Sequence, residues 1–188
     1  GINESDKFFK LLSLITHKDI PEKYQMQRGR LIDLYVDGHK YVSGKRAMIY
    51  GEEDLVVALA AFAAEVGIQP VFCFTGGESG KLEQTLRKTL GDLYPEGAVI
   101  GQGMSFGRAE RIAQEMNLDL LIGNSKGYYI ARKLDIPIVR TGFPIHDRIG
   151  AQHNRILGYE GTAILFENIV NTLLENIQRK SPIGYKYM

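Results

Sequence analysis

The sequence holds one cysteine, Cys73, among 188 residues. A lone thiol excludes an internal disulfide framework and any cysteine-only metal cage built within this chain. No apolar run approaches the ~20 residues that a membrane helix needs, and no basic n-region precedes an apolar h-region. No membrane span or secretion signal is therefore read. Charge of one sign is also missing: 23 Lys+Arg stand against 22 Asp+Glu, a net charge of +1. That balance argues against binding to nucleic acid or anionic lipid through bulk charge. The chain opens at Gly1 rather than Met, and reads as a cytoplasmic, processed or excised piece of something larger.

What is present suits one globular domain with an appended arm. Hydrophobic residues make up 44% and charged residues 24%, enough apolar surface for a real core. Residues 1–44 read as a helical arm. Phe8, Phe9, Leu11, Leu12 and Ile15 form a first apolar segment that closes around His17. Pro21 and Glu22 mark a second helix start, and Ser43-Gly44 its end. The arm's charged face cannot enter a core, so its apolar stripe is expected to lean on contacts outside the sheet domain.

Residues 45–188 read as an α/β domain with a C-terminal helix. Short apolar strands over Arg46–Tyr50, Pro70–Thr75, Ala98–Ile100, Asp119–Ile122 and Ile136–Arg140 alternate with helices over Glu52–Val66, Ser79–Leu93, Phe106–Met116 and Tyr128–Leu134. Continuous apolar strands between amphipathic helices predict a Rossmann-like, three-layer parallel sheet of four or five strands. A long final helix is expected from Thr162, as N-cap, to Arg179, with Leu165, Ile169, Leu173 and Ile177 as its apolar stripe.

Several catalytic patterns fail on spacing. Gly76 and Gly80 lie one residue too close for a Walker phosphate loop, and Leu82 stands where its hydroxyl should be. The segment Gly101–Gly107 is one residue longer than a dinucleotide fingerprint. Asp119, the candidate ribose acid, opens a strand instead of closing one, and so lies away from the crevice. No serine sits in a GxSxG elbow. Cys73, between Phe72 and Phe74, reads as a small buried thiol.

Two strand-end segments survive. Asn124, Ser125 and Lys126 follow the fourth strand, where a cap can leave backbone donors facing the crevice that open α/β sheets use for ligands. His146, Asp147 and Arg148 follow the fifth strand on a loop turned by Gly142 and Pro144. Its bland role is structural, tying strand to helix. If Asp147 and Arg148 lie buried beneath the final helix, each needs the other. These six residues are the cofactor- or anion-binding candidates; no catalytic residue or metal ligand is assigned.

Taken in order, several segments resemble the β-type subunits of nitrogenase component 1. They are Arg28–Asp33, Asp37–His39, Gly44–Arg46, Asp119–Gly127, Gly142–Arg148 and Gly158–Thr162. The likeness runs from about Asn3 to Ile177. It implies the C-terminal domain of a β-type oxidoreductase subunit, in a family that builds each subunit from three related α/β domains. It also implies an α-type partner in a heterotetramer, and an ATP-dependent iron–sulfur reductase that feeds the complex.

The family's cluster ligands in the β-type chain are cysteines of the first domain. Its larger cofactor is held by a Cys and a His of the α-type subunit, so His146 does not inherit that role. No cofactor is expected in this segment; an iron–sulfur cluster and a metal–sulfur cofactor are implied for the full complex. The region Thr75–Gly101 and the tail after Ile177 are compact beside catalytic β-subunits, which keeps a cofactor-assembly scaffold as the alternative. Tetrapyrrole reductases share the architecture. A stand-alone α/β module binding a small anion is the rival from a different class.

Overall fold

The computed structural model describes residues 1–182. The last residues of the C-terminal tail, 183–188, lie outside the described part. Two N-terminal helices, α1 (Ile2–Thr16) and α2 (Glu22–Val42), precede an alternating series. That series runs β1 (Arg46–Tyr50), α3 (Glu53–Glu65), β2 (Gln69–Phe74), α4 (Leu82–Leu90), β3 (Val99–Gly101), α5 (Phe106–Gln114), β4 (Leu120–Gly123), α6 (Tyr128–Leu134) and β5 (Ile138–Arg140). The long helix α7 (Gly158–Lys180) closes the described chain. The five strands pair in parallel, in the order β3-β2-β1-β4-β5, so the sheet is doubly wound and reverses between β1 and β4.

Side-chain alternation divides the core into two halves. Ala47 and Ile49 of β1, Cys73 of β2, and Leu120 and Ile122 of β4 face α3, α4 and α7. Met48, Tyr50, Phe72, Phe74 and Leu121 face α5 and α6. Both faces are covered, which is why these strands read as continuous apolar runs. Pro70 would leave a gap in a central ladder. It sits where the β1–β2 register shifts between Ala47 and Met48, and it precedes the pairing of β3, which begins at Phe72.

Three expectations need correcting. The helix after β2 starts at Leu82 instead of Ser79, because Gly80 adopts φ +74° and the preceding loop is held elsewhere. Helix α7 begins a turn early, at Gly158, so Thr162 is buried inside the helix and does not cap it. Helix α2 packs against α7 of the sheet domain and does not lean on outside contacts alone. Leu31 and Val42 are buried, and Gly38 lets α2 approach the Phe166 ring of α7 so closely that a Cβ there would lie 2.4 Å from the ring edge. The start of α1 is also tied down. Phe9 stacks on Tyr159 at 5.2 Å, and the Ile2 and Asn3 amides donate to the Glu65 carboxylate.

Candidate functional site

The carboxyl ends of β4 and β5 bring the two candidate segments together. Tyr50, the last residue of β1, reaches beneath them and donates its hydroxyl to the Asn124 carbonyl at 2.6 Å. Burial holds the Tyr50 phenol above its ordinary pKa, so it remains a donor. Gly123 and Gly127 make room for this ring: a Cβ on Gly127 would sit 2.0 Å from the Tyr50 oxygen. Without those two glycines the loop could not close over β1.

Asn124 is buried, and its amide is engaged at both ends. Nδ2 donates to the Phe143 carbonyl at 3.1 Å, and Oδ1 accepts from the Lys126 amide at 3.1 Å, capping the short 3-10 turn Ser125–Gly127. Ser125 is tied just as fully. Its amide and hydroxyl both donate to the Pro144 carbonyl, at 3.2 and 3.0 Å, and its oxygen accepts from the His146 amide at 3.1 Å. The Phe143–Pro144 peptide is cis. The backbone donors expected to face the crevice are thus taken: the Ser125 amide joins the β4 and β5 loops, and the Lys126 and Gly127 amides close the turn on Asn124.

Lys126, His146 and Arg148 are exposed. Asp147 is exposed too, so the condition of a pair buried beneath the final helix is not met. Its principal partner is Arg140, at the end of β5, whose side chain is only 12% exposed and which reaches Asp147 Oδ2 at 2.7 Å. Arg140 therefore fixes the loop from below. Sequence alone missed it, since a charged residue in the last position of a strand looks like an ordinary exposed end.

The other glycine-rich loops are closed in the same way. The Gln102 side-chain oxygen accepts from the Gly80 amide at 3.0 Å, in the loop before α4, and from the Leu82 amide at 3.4 Å, the first of α4. A phosphate-loop geometry would need those donors for its anion. Gly103 donates to the Gly77 carbonyl at 2.8 Å, locking the β3 loop to the β2 loop.

The donors present do not suit an iron–sulfur cluster, which takes its ligands mainly from several thiolates. Cys73 is buried on the α3/α4 face, and burial pushes its thiol up to about 12. Among the described residues, no three His, Cys, Asp or Glu side chains converge as metal ligands. Among the same residues, no helix is long and apolar enough to cross a membrane.

The whole is a doubly wound α/β unit whose β4 and β5 strand-end loops are bound to each other. Its lineage is definite. Residues 1–174 match the family model for nitrogenase component 1 type oxidoreductases, and the chain belongs to that family.

Among curated relatives, the molybdenum-iron protein beta chain of Clostridium pasteurianum is 36% identical over 96% of this chain and 39% of its own length. The vanadium-iron protein beta chain of Trichormus variabilis is 34% identical over 96% of this chain and 40% of its own. The iron-iron protein beta chain of Rhodobacter capsulatus is 32% identical, again over 96% and 40%. A solved structure, nitrogenase Cp1 at pH 6.5, matches the whole of this chain with TM-score 0.95 and 34% identity, over 41% of that chain. A second chain, from Cp1 at pH 5, shares only the fold, at 10% identity and TM-score 0.57. The 188 residues span about two fifths of the beta chains they resemble.

Proposed function

We propose that these residues form the C-terminal domain of a β-type subunit in a component 1 complex, with the arm 1–44 and the unit 45–188 acting as one domain. The complex would pair this subunit with an α-type chain in a heterotetramer and receive electrons in the cytoplasm from an ATP-dependent iron–sulfur reductase. Its iron–sulfur cluster and metal–sulfur cofactor would be ligated elsewhere. The role of this segment is architectural: the sheet supports the subunit, and the loop carrying Asn124, Ser125, Lys126, His146, Asp147 and Arg148 keeps the crevice in one shape. One observation carries the reading. All of this chain matches the fold of a component 1 chain, at TM-score 0.95 and 34% identity, over 41% of that chain.

The test is isolation of the complete gene product under anaerobic conditions through an affinity tag. An equimolar α-type chain, iron–sulfur absorption and reductase-dependent substrate reduction are expected, and the absorption should survive Cys73→Ala. A complex that holds iron and passes cofactor to another protein without reducing substrate would favour the assembly-scaffold alternative. Recovery of a lone, iron-free chain that binds a small anion would overturn both.

A further inference from the structure

A helix covering one face of a sheet ordinarily turns a charged side outward. Helix α3 does not. Between Asp54 and Glu65 its sequence is Leu-Val-Val-Ala-Leu-Ala-Ala-Phe-Ala-Ala, apolar all round. Val56, Leu59, Ala60 and Ala63 are buried against the sheet layer, while Ala58 is exposed and Ala61 half-buried on the other side. An apolar outer surface of this kind belongs in an interior.

Helix α1 covers it only in part. Its first turn is held by Glu65, and between α1, the outer side of α3, the end of α4 and the start of α7 lies a cavity of about 660 Å³. Phe8, Leu93 and Leu157 line it while 57%, 59% and 84% exposed. Leu11, Leu12 and Ile15 continue the Phe8 stripe at i+3, i+4 and i+7, and all are exposed. Monomeric proteins seldom leave so continuous an apolar surface open. The charges beside the cavity already have partners: Glu4 with Lys7, Asp6 with Arg28, and Glu65 with Tyr35 and the α1 amides. Little charge is left to select a charged or transient partner, and the surface has the character of an obligate contact.

We propose that this socket seats an apolar helical surface from the remainder of the same β-type polypeptide. The proposal rests on the reading of these residues as part of a longer subunit. The same fold, at TM-score 0.95, is embedded in a solved chain of which it makes up only 41%, so most of such a chain lies outside this unit. A covalently attached occupant is present at high effective concentration from synthesis onward, which an apolar surface needs if it is not to aggregate. Ala58 and Ala61 keep the floor shallow enough for a helix backbone to come close, in the way small residues admit tight packing.

Photo-crosslinking in the complete gene product, assembled with its partner, tests this directly. Benzoylphenylalanine is introduced at Ala61 in one variant and at Leu11 in another. Leu11 is exposed on α1, so that variant folds even if the first does not. Expected at both sites is a crosslink within one chain to peptides outside these 188 residues, as the main product in digests read by mass spectrometry. Crosslinks chiefly to the α-type chain or to a second β copy would overturn the proposal while leaving the β-type reading intact. The absence of any crosslink would also overturn it. A gene product with no further chain beyond these residues would overturn the proposal and the reading together.

Discussion

Arg140 holds Asp147 through a fork. Its Nε lies 2.9 and 2.8 Å from the two carboxylate oxygens, and a terminal nitrogen lies 2.7 Å from one of them. Arg148, next to Asp147 in sequence, stands 3.7 Å from the carboxylate and is 59% exposed. The pair that matters joins strand β5 to its loop.

Replacing either member of the fork should therefore cost more than replacing Arg148. Arg140→Met and Asp147→Asn are each expected to lower stability by about 1 kcal/mol, the upper end for a partly exposed pair with bidentate geometry. Arg148→Met should be close to neutral. The Arg140 hydrogen bonds hold the Asp147 carboxyl below the usual carboxylate range. This contribution is thus present above about pH 4 and lost as pH falls through the lowered value. Urea midpoints for the three variants decide it, and a larger loss from Arg148→Met would mean the fork is not the tie.

Two glycines of α2 should respond in opposite directions to the same change. Gly38→Ala drives a methyl into the Phe166 ring edge, 2.4 and 2.7 Å from its carbons, and is expected to cost about 1–3 kcal/mol through overpacking. At Gly29 a Cβ meets nothing within 4 Å, so Gly29→Ala should stabilise by about 0.5–1 kcal/mol through helix propensity. Thermal midpoints that moved the same way in both variants would show that α2 does not press on α7.

The α/β alternation was legible because a parallel sheet covered on both faces leaves uninterrupted apolar runs, as at Met48–Tyr50 and Leu120–Ile122. Strand and helix order followed from that, as did the family, through segments such as Gly142–Arg148 and Gly158–Thr162. Single-residue partnerships were not legible. Nothing local marks Arg140 as the mate of Asp147, Gln102 as the cap of α4, or Tyr50 as the pin under Asn124. The last two join residues brought together only by strand order, and the first depends on how the loop after β5 folds back on its own strand. The start of α7 was misplaced because Thr162 is a good capping type, whereas tertiary packing made it a buried helical residue. The apolar outer side of α3 was visible in the sequence as an Ala-rich helix, but only the fold reveals which side is left open.

Cys73 should be inert in the native protein. Its thiol is buried, its proton is directed to the Pro70 carbonyl at 3.8 Å, and its pKa is pushed up to about 12 by desolvation. Reaction with a disulfide reagent at pH 8 should therefore track global unfolding across a urea series, with no fast phase in its absence. Rapid stoichiometric labelling in native buffer would show that the α3/α4 layer opens locally.

The last test concerns the junction of α1, α2 and α7. Asp6 accepts from Arg28 Nε at 2.9 Å and from the Tyr159 hydroxyl at 2.7 Å, so one carboxylate ties three helices. The Arg28 hydrogen bonds chiefly hold Asp6 below its ordinary range, while burial and then the bond to Asp6 push Tyr159 up to about 12. The two groups act at opposite ends of the pH scale. Stability from Asp6 is present above about pH 4 and lost as pH falls through its lowered value. For Tyr159 the unfolded chain ionises first, near pH 10, so stability declines as pH rises from there through about 12. Asp6→Asn should flatten the acid limb of a stability profile, and Tyr159→Phe part of the alkaline limb. At neutral pH, Tyr159→Phe should cost about 1 kcal/mol for the lost hydrogen bond. Both should raise hydrogen exchange in α1 before exchange rises in β1 or β4. If Tyr159→Phe kept the full wild-type slope between pH 10 and 12, the alkaline loss would have to come from other buried tyrosines such as Tyr35, and Asp6 would be tied by Arg28 alone.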